Sequence, residues 1–264
     1  MTPLSCSRYD MSMAELAFGI DIGGSGIKGA PVDLTTGEFL LERVRIPTPS
    51  PSTPKAVAKT VAQVMAQFGE DVKGLPVGIT VPCVVRSGIT RTAANIDKKW
   101  IDYPAVEVLS AAVGSPITLL NDADAAGLAE LYYGAARGES GLIIVTTLGT
   151  GIGSAIIYNG VLVPNSELGH LEIDGFTAEK RAAASVRTKE DLSWTAYSKR
   201  LQTYYSTLEF LFSPDLIVVG GGVSRSSDKF LPNIKLHTPI VPAQLRNRAG
   251  IVGAARFAAE HFSN

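Results

Sequence analysis

Blocks of apolar residues along the chain predict strands and helices in alternation. Residues 16–20 and 27–32 are short apolar runs on either side of a glycine-rich turn, and residues 38–46 read as a third strand. From residue 57 to 68, apolar side chains recur at helical spacing. The chain therefore opens as a strand meander followed by a helix, unlike the strand–turn–helix start of a dinucleotide-binding fold.

The same order of elements then begins again. The later elements predicted are strands at 75–81, 117–120, 141–148, 154–158, 161–163 and 216–219, and helices at 104–113, 123–136, 194–211 and 249–262. The two halves share this order but no close sequence repeat, so we expect two similar α/β domains with a cleft between them. The predicted division is a flexible tail (1–15), a smaller domain (16–118) onto which residues 250–262 pack back, and a larger domain (119–249).

Composition and charge exclude several classes of protein. The 264 residues are 45% hydrophobic with a net charge of −1, so no overall field favours nucleic acid or a membrane surface. No apolar run has the length of a membrane span, and the N-terminus lacks the apolar core of a signal peptide. The two cysteines, Cys6 and Cys83, form neither a disulfide framework nor a metal quartet. We expect a cytoplasmic protein that binds neither nucleic acid nor membrane.

The turn between the first two strands is suited to phosphate binding. Glycines let the backbone approach a ligand closely, so that N–H groups point at phosphate oxygens. Asp21 would instead repel phosphate, and it is better placed to hold a water of a Mg²⁺ ion. The same residues also fit an ordinary glycine hairpin. The predicted donor contacts of this turn are Gly23, Gly24, Ser25, Gly26 and Lys28.

Two further glycine turns follow buried strands in the second half. Two such turns facing each other across a cleft would hold one phosphate chain from both sides, and the third suits the far end of the donor. The predicted contacts are Thr147, Gly149, Thr150 and Gly151 in one turn, and Gly221 and Gly222 in the other.

Asp122 is the candidate catalytic base. It follows the strand at 117–120, and a carboxylate at the end of a strand can accept the proton of an attacking hydroxyl. Asn121 and Asp122 also fit the N-cap of the following alanine-rich helix, and both roles can coexist because Asp124 is available too. Further along, Glu167 and His170 flank a glycine and could bind vicinal sugar hydroxyls, although these residues alone favour a surface glutamate and a structural histidine.

Together these motifs resemble the ROK family of sugar kinases and repressors, within the actin-like ATPase superfamily. The resemblance covers the chain from about Phe18 onward and rests on DIGGSGIK (21–28), LND (120–122), LGTGIG (148–153), ELGH (167–170) and VGGG (219–222). It implies a duplicated α/β fold of the actin-like, ribonuclease H-like type, and a homodimer is usual among such kinases. It also implies Asp122 as base, the glycine turns as donor contacts, and sugar contacts from Asn95, Asn121, Asp122, Glu167 and His170.

The chain departs from most of the family after His170. Most ROK kinases carry a cysteine-rich zinc motif there, whereas residues 169–181 contain no cysteine, so we expect no zinc. Glu179 is the candidate replacement for the sugar-binding glutamate that ends that motif. The zinc-less form is similar to the polyphosphate glucokinases, some of which accept ATP or phosphorylate mannose. The resemblance therefore implies a hexose kinase that uses polyphosphate or ATP with Mg²⁺, acting on the 6-hydroxyl of glucose, with mannose as an alternative acceptor.

Basic residues gather in two parts of the sequence. They are Lys180, Arg181, Arg187 and Lys189, then Arg225, Lys229, Lys235, Arg246, Arg248 and Arg256. Solvated surface is the default explanation of basic residues, so they would matter for a polyanion only if several converge on one groove.

Three other functions compete with the kinase. They are a sugar-responsive repressor of the same family, a binding module without transfer activity, and another actin-like kinase. About 16 residues precede the first strand, too few for a helix-turn-helix domain.

Overall fold

The computed structural model describes residues 15–262. The predicted tail, residues 1–15, lies outside the described residues except for Glu15, and so does Cys6. The strands of the described chain are, in order, β1 (Leu16–Gly23), β2 (Gly26–Asp33), β3 (Val44–Ile46), β4 (Val77–Val81), β5 (Val85–Arg86), β6 (Ile89–Thr90), β7 (Ile117–Asn121), β8 (Leu142–Leu148), β9 (Ile152–Tyr158), β10 (Val161–Val163), β11 (Glu172–Ile173), β12 (Phe176–Thr177), β13 (Leu216–Gly220) and β14 (Ile240–Pro242). The α-helices are α1 (Pro54–Ala66), α2 (Ala105–Val113), α3 (Asp122–Tyr133), α4 (Glu179–Ala182), α5 (Ala184–Lys189), α6 (Trp194–Phe212) and α7 (Ala249–Phe262).

Two five-stranded sheets have the same topology. The first has the order β3-β2-β1-β4-β7, with β1 antiparallel to β2 and parallel to β4, and β4 parallel to β7. The second has the order β10-β9-β8-β13-β14, with β8 antiparallel to β9 and parallel to β13. Each half thus joins an antiparallel hairpin to parallel strands. The predicted duplicated α/β architecture is confirmed.

Each sheet buries one face against its own helices. In the first half, Val61 of α1 and Leu109 of α2 pack with Phe18 and Ile79 of the sheet. The start of α1 follows local rules, because Pro54 occupies its first turn and the Thr53 side chain accepts a hydrogen bond from the Ala56 N–H. In the second half, the apolar stripe of α6 packs against β8 and β13, through residues that include Tyr197, Leu201, Tyr204, Leu208, Ile144 and Ile217.

The third predicted strand is much shorter than the expected 38–46. Only β3, Val44–Ile46, pairs with β2, and upstream of it a single bridge joins Phe39 to Val32. Residues 40, 41 and 42 are all exposed, so this stretch lacks the in–out alternation that fixes a strand on a sheet. The apolar residues Leu40 and Leu41 suggested a strand, but both side chains are exposed to solvent.

The last helix, α7, joins the two halves. It packs on β1 and β4 of the first sheet and along α3 of the second half. At Gly19, Gly78 and Gly253 an added Cβ would lie 1.9 Å, 1.9 Å and 1.8 Å from the backbone oxygens of Ile251, Ala254 and Ala125, respectively. Backbone therefore meets backbone at these crossings, where no side chain fits. Because α7 packs on both halves, the grouping of residues 250–262 with the first half stays a prediction.

None of the helices in residues 15–262 combines the length and apolar content needed to span a membrane.

Candidate active site

The strand ends of both halves meet around one cavity. The residues just beyond or at the ends of β4, β7, β8 and β13 all line it, as expected for the carboxyl edge of parallel strands. Its volume is about 250 Å³. The predicted site residues that line it are Gly23, Gly24, Asn95, Asn121, Asp122, Thr147, Gly149, Thr150, Gly151, Glu167, His170, Glu179 and Gly221.

The other predicted residues lie elsewhere. Asp21 and Lys28 line an adjoining cavity of about 200 Å³, which shares Asp122, Thr147 and Gly221 with the first. Ser25, Gly26 and Gly222 line neither cavity. Ser25 is exposed, and its carbonyl accepts a hydrogen bond from Arg45 Nη2 at 2.7 Å, while an added Cβ at Gly26 would lie 2.6 Å from Arg45 Nε. The arginine, rather than the cavity, occupies the space beside these two residues.

Asp122 is the first residue of α3, and Asn121 is the N-cap of that helix. The Asn121 Oδ1 atom accepts hydrogen bonds from the backbone N–H groups of Ala123 at 2.8 Å and Asp124 at 3.3 Å. Its Nδ2 atom donates to the carbonyl of Cys83 at 3.2 Å. The amide of Asn121 is therefore used to start the helix and to hold Cys83, which leaves Asp122 directed at the cavity. The sugar contact predicted for Asn121 stays a prediction.

The Asp122 carboxyl is exposed to the cavity but enclosed by both halves. This enclosure, together with the nearby charges of Asp21 and then Glu167, raises the pKa of Asp122 to about 7. Backbone N–H groups at the start of α3 act in the opposite direction. A carboxylate with a pKa near neutrality is a better proton acceptor than an ordinary aspartate. The pKa of the buried Cys83 thiol rises to about 12, so this cysteine is neutral.

Glu167, His170 and Glu179 form one cluster on the far wall of the cavity. His170 Nδ1 lies 3.8 Å from Glu167 Oε2, and His170 Nε2 lies 3.6 Å from Glu179 Oε1. Burial, together with the charge of Glu179, raises the pKa of Glu167, whereas His170 opposes the shift. Carboxylate and imidazole groups beside each other can bind neighbouring hydroxyls of a sugar. The structure thus places Glu179 beside His170 in the cavity, and its role as a sugar contact stays a prediction.

Ser154 and Ser166 hold this cluster in place, and the sequence pattern did not reveal them. Ser154 Oγ donates to the Ser166 carbonyl at 2.9 Å and accepts from the Leu168 N–H at 2.9 Å, while Ser166 Oγ donates to the Ser154 carbonyl at 2.9 Å. Gly169 crosses so close to Ile152 that an added Cβ would lie 2.1 Å from its carbonyl oxygen. In the sequence, only the position of Ser166 directly before Glu167 could have indicated its role. Thr92 and Ala94, beside Asn95, also line the cavity and were missed.

The glycine turns leave open space beside the cavity. No atom lies within 4 Å of the position that a Cβ would take at Gly24 or Gly149. Gly221 adopts φ +84, and an added Cβ there would lie 2.3 Å from the carbonyl oxygen of Leu148, so glycine is required. Ser185 of α5 anchors the turn at 149–151, because its N–H donates to the Gly149 carbonyl at 3.0 Å and its hydroxyl to the Thr150 carbonyl at 2.6 Å.

Asp21 is held by two donors. Lys28 Nζ lies 3.0 Å from its Oδ2 atom, and Thr80 Oγ1 donates to its Oδ1 atom at 3.2 Å. Each carboxylate oxygen has a further lone pair, so Asp21 can still accept a hydrogen bond from a metal-bound water. Within residues 15–262 no group of three or more His, Cys, Asp or Glu side chains could hold a metal ion directly.

Some of the predicted basic residues lie near the donor side of the site, including Arg246, which lines the adjoining cavity with Asp21 and Lys28. Arg187 and Lys229 both lie over the Trp194 ring, with Arg187 Cζ 3.7 Å and Lys229 Nζ 5.7 Å from its centre. Arg187 belongs to the short helix that anchors the second glycine turn. By contrast, Arg248 pairs with Glu38 and Arg256 with Glu260, and neither arginine lines the two cavities. Only part of the predicted basic set therefore converges.

The chain is similar to known sugar kinases over nearly all of its length. It is 52% identical to the polyphosphate glucokinase of Mycobacterium tuberculosis (strain CDC 1551 / Oshkosh) over 90% of this chain and 89% of that protein. It is 54% identical to the solved inorganic polyphosphate/ATP-glucomannokinase of Arthrobacter sp. strain KM, with a TM-score of 0.89 over 93% of this chain and 99% of that one. A ROK family glucokinase from Streptomyces griseus, solved with glucose and AMPPNP, matches with a TM-score of 0.80 and 25% identity, over 93% of this chain and 99% of that one.

The pattern that defines the ROK family matches residues 17–184, which contain the first two glycine turns, Asp122 and the Glu167–His170–Glu179 cluster. The relatives named above share the actin-like duplicated fold. Together with the identity above 50% to two curated or solved relatives, this match shows that the chain belongs to the ROK family.

Proposed function

We propose that the protein transfers the terminal phosphoryl group of inorganic polyphosphate or ATP to the 6-hydroxyl of glucose. The observation that carries the proposal is a single cavity with Asp122 between the Glu167–His170–Glu179 cluster and the glycine turns. The relatives at 52% and 54% identity, a polyphosphate glucokinase and a polyphosphate/ATP-glucomannokinase, support the same reaction and both donors. We extend the proposal to mannose as a second acceptor because of the second relative.

In the proposed mechanism, glucose lies against the acceptor cluster with its 6-hydroxyl directed at Asp122. As the bond from that oxygen to the terminal phosphorus forms, the bond to the bridging oxygen of the donor breaks and the Asp122 carboxylate accepts the hydroxyl proton. Backbone N–H groups of the turns at 23–24 and 149–151 stabilise the charge on the transferred group. Most of the rate acceleration comes from positioning and electrostatics, as is general for phosphoryl transfer.

A magnesium ion would neutralise charge on the donor phosphates. We propose that Asp21 holds it through water, since its oxygens are already engaged with Lys28 and Thr80 but keep lone pairs free. We further propose that the enzyme works as a cytoplasmic homodimer that binds neither nucleic acid nor membrane. The pair of basic side chains over Trp194, beside the second glycine turn, is the proposed contact for distal phosphates of a long donor.

The decisive test is a matrix of donors and acceptors. ATP and polyphosphate should be offered with glucose, mannose, fructose and N-acetylglucosamine, and sugar phosphate measured directly. We expect glucose 6-phosphate with both donors. Glucose binding without any sugar phosphate would favour a sugar-responsive repressor or a binding module instead, and transfer to another acceptor alone would favour a different actin-like kinase.

Activity should rise with pH through about 7. Enclosure and the charges of Asp21 and Glu167 raise the pKa of Asp122 to about 7, and only the ionised carboxylate accepts a proton. Below that pKa the protonated form dominates, so kcat/KM for glucose should fall roughly tenfold per pH unit. Measuring kcat/KM with both ATP and polyphosphate separates the ionisation of the enzyme from that of the donor, because the two donors ionise differently. A flat profile down to about pH 5.5 would contradict the assignment.

A further inference from the structure

Asn165 forms a three-way junction beside the acceptor part of the cavity. Its Oδ1 atom accepts a hydrogen bond from the Val85 N–H at 2.8 Å, and its Nδ2 atom donates to the Val85 carbonyl at 2.9 Å. Its own N–H donates to Asp124 Oδ2 at 2.8 Å. Val85 belongs to the first half, whereas Asn165 and Asp124 belong to the second. One side chain therefore joins the two halves across the cleft.

The partners of Asn165 lead directly to both walls of the cavity. On the first-half side, the Val84 N–H donates to Thr92 Oγ1 at 2.9 Å, and the Arg91 N–H donates to the Val84 carbonyl at 2.8 Å. Thr92 lines the cavity together with Asn95. This segment therefore supplies the first-half wall of the cavity that Glu167 lines from the second half.

On the second-half side, the chain passes from Asn165 straight into Ser166 and Glu167. Ser166 is bonded to Ser154 through both its carbonyl and its hydroxyl. Asp124, which is 1% exposed, lies in the first turn of α3, two residues after Asp122. The junction therefore connects the wall that carries Thr92 and Asn95 with the wall that carries Glu167 and with the helix that presents the base.

Asparagine is well suited to this position for two reasons. Its backbone has φ 61, a left-handed conformation that asparagine and glycine adopt more readily than other residues. Its amide also carries a donor and an acceptor at fixed spacing, which match the N–H and carbonyl of one residue in an extended strand. Neither aspartate nor glycine can make both bonds.

We propose that Asn165 is a positioning residue that sets the spacing between the two walls of the acceptor site and thereby the affinity for the sugar. The proposal rests on the proposed function, since it assigns the acceptor part of the cavity to a hexose. The donor turns at 23–24 and 149–151 are not bonded to Asn165, so donor binding should be independent of it.

The test compares Asn165→Gly with Asn159→Gly in the full-length protein. Asn159 also has a left-handed backbone, φ 48, and its side chain accepts one hydrogen bond, from the Gly141 N–H at 2.9 Å, in the turn between β9 and β10 away from the cavity. Both changes preserve the backbone conformation and remove a side chain. We expect Asn165→Gly to raise KM for glucose about tenfold, since two hydrogen bonds are lost, with KM for the donor within about twofold. Asn159→Gly should leave both unchanged.

A second variant, Asn165→Asp, guards against a general effect on folding. It keeps the size and one acceptor but loses the donor to the Val85 carbonyl, so it should also raise KM for glucose while the donor KM stays constant. Melting temperatures of all variants are measured in parallel. The proposal is overturned if both Asn165 variants keep KM for glucose within about twofold of wild type, or if donor and glucose KM rise together.

Glucose affinity measured by calorimetry in the same set separates this proposal from the proposed function. A wild type that binds glucose but produces no glucose 6-phosphate ends the proposed function only, and the affinities of the Asn165 variants still decide the positioning role. A wild type that binds no glucose overturns both.

Discussion

Replacing Asp122 with asparagine should lower kcat by roughly 10²–10⁴-fold, the usual contribution of a positioned general base. The asparagine preserves the size of the side chain and can occupy the first position of α3, but it cannot accept the hydroxyl proton. Glucose should still bind, because Glu167, His170 and Glu179 are untouched. Turnover is measured by release of sugar phosphate, and glucose affinity by calorimetry. Asp122→Ala should show the same loss with measurable sugar binding.

The matched control for this experiment is Asp71→Asn. Asp71 is exposed in the 3₁₀ turn Gly69–Val72 and does not line the cavity, so the same chemical change should have no effect on kcat there. If Asp122→Asn kept near wild-type kcat, Asp122 could not be the base. A parallel loss of glucose affinity would mean that Asp122 mainly binds sugar.

Replacing Gly78 with alanine should destabilise the fold by about 3 kcal/mol or more. An added Cβ would lie 1.9 Å from the carbonyl oxygen of Ala254, which is backbone of α7 and cannot turn aside as a side chain could. The helix would have to move off β4, and with it the contact that joins the halves. A loss of this size corresponds to a decrease in Tm of roughly 6–12 °C, readable by thermal unfolding.

Gly24→Ala is the control for Gly78→Ala. It introduces the same methyl group where no atom lies within 4 Å, so its Tm should match that of the wild type even if donor binding changes. A Gly78→Ala protein with an unchanged Tm would show that α7 can shift without cost, and the crossing would then not require glycine.

The order of the elements could be predicted from the sequence because it depends on local patterns. The apolar stripe of α1, its Pro54 start and the hairpin β1–β2 follow from residues close together in the chain. The prediction of a long strand at 38–46 was wrong for a related reason. Leu40 and Leu41 are apolar and suggested a strand, but the sheet does not extend to them and both are exposed. The family motifs also located most of the cavity lining, because four of the five sit at strand ends, while ELGH lies in the 3₁₀ turn Leu168–His170.

Bonds between distant residues could not be predicted in this way. Asn165 meets Val85, which is 80 positions away, and Ser154 meets Ser166 only because β9 brings their segments together. Nothing in the neighbourhood of Asn165 in the sequence distinguishes it from a turn asparagine. The phosphate contact of Lys28 stays a prediction, whereas its position opposite Asp21 follows only from the pairing of β1 with β2.

The sequence by itself determined that this is a duplicated α/β protein of the ROK family, with glycine turns at the strand ends and Asp122 after β7. These features depend on short-range rules, namely periodicity, capping and the freedom of glycine. Only the tertiary structure decided which distant groups the polar side chains contact: that Asn121 Nδ2 reaches the Cys83 carbonyl, that Glu179 reaches His170, and that Asn165 joins the two halves. The physical reason is that a polar group bonds whichever partner folding brings within about 3 Å, and those partners are distant in the chain.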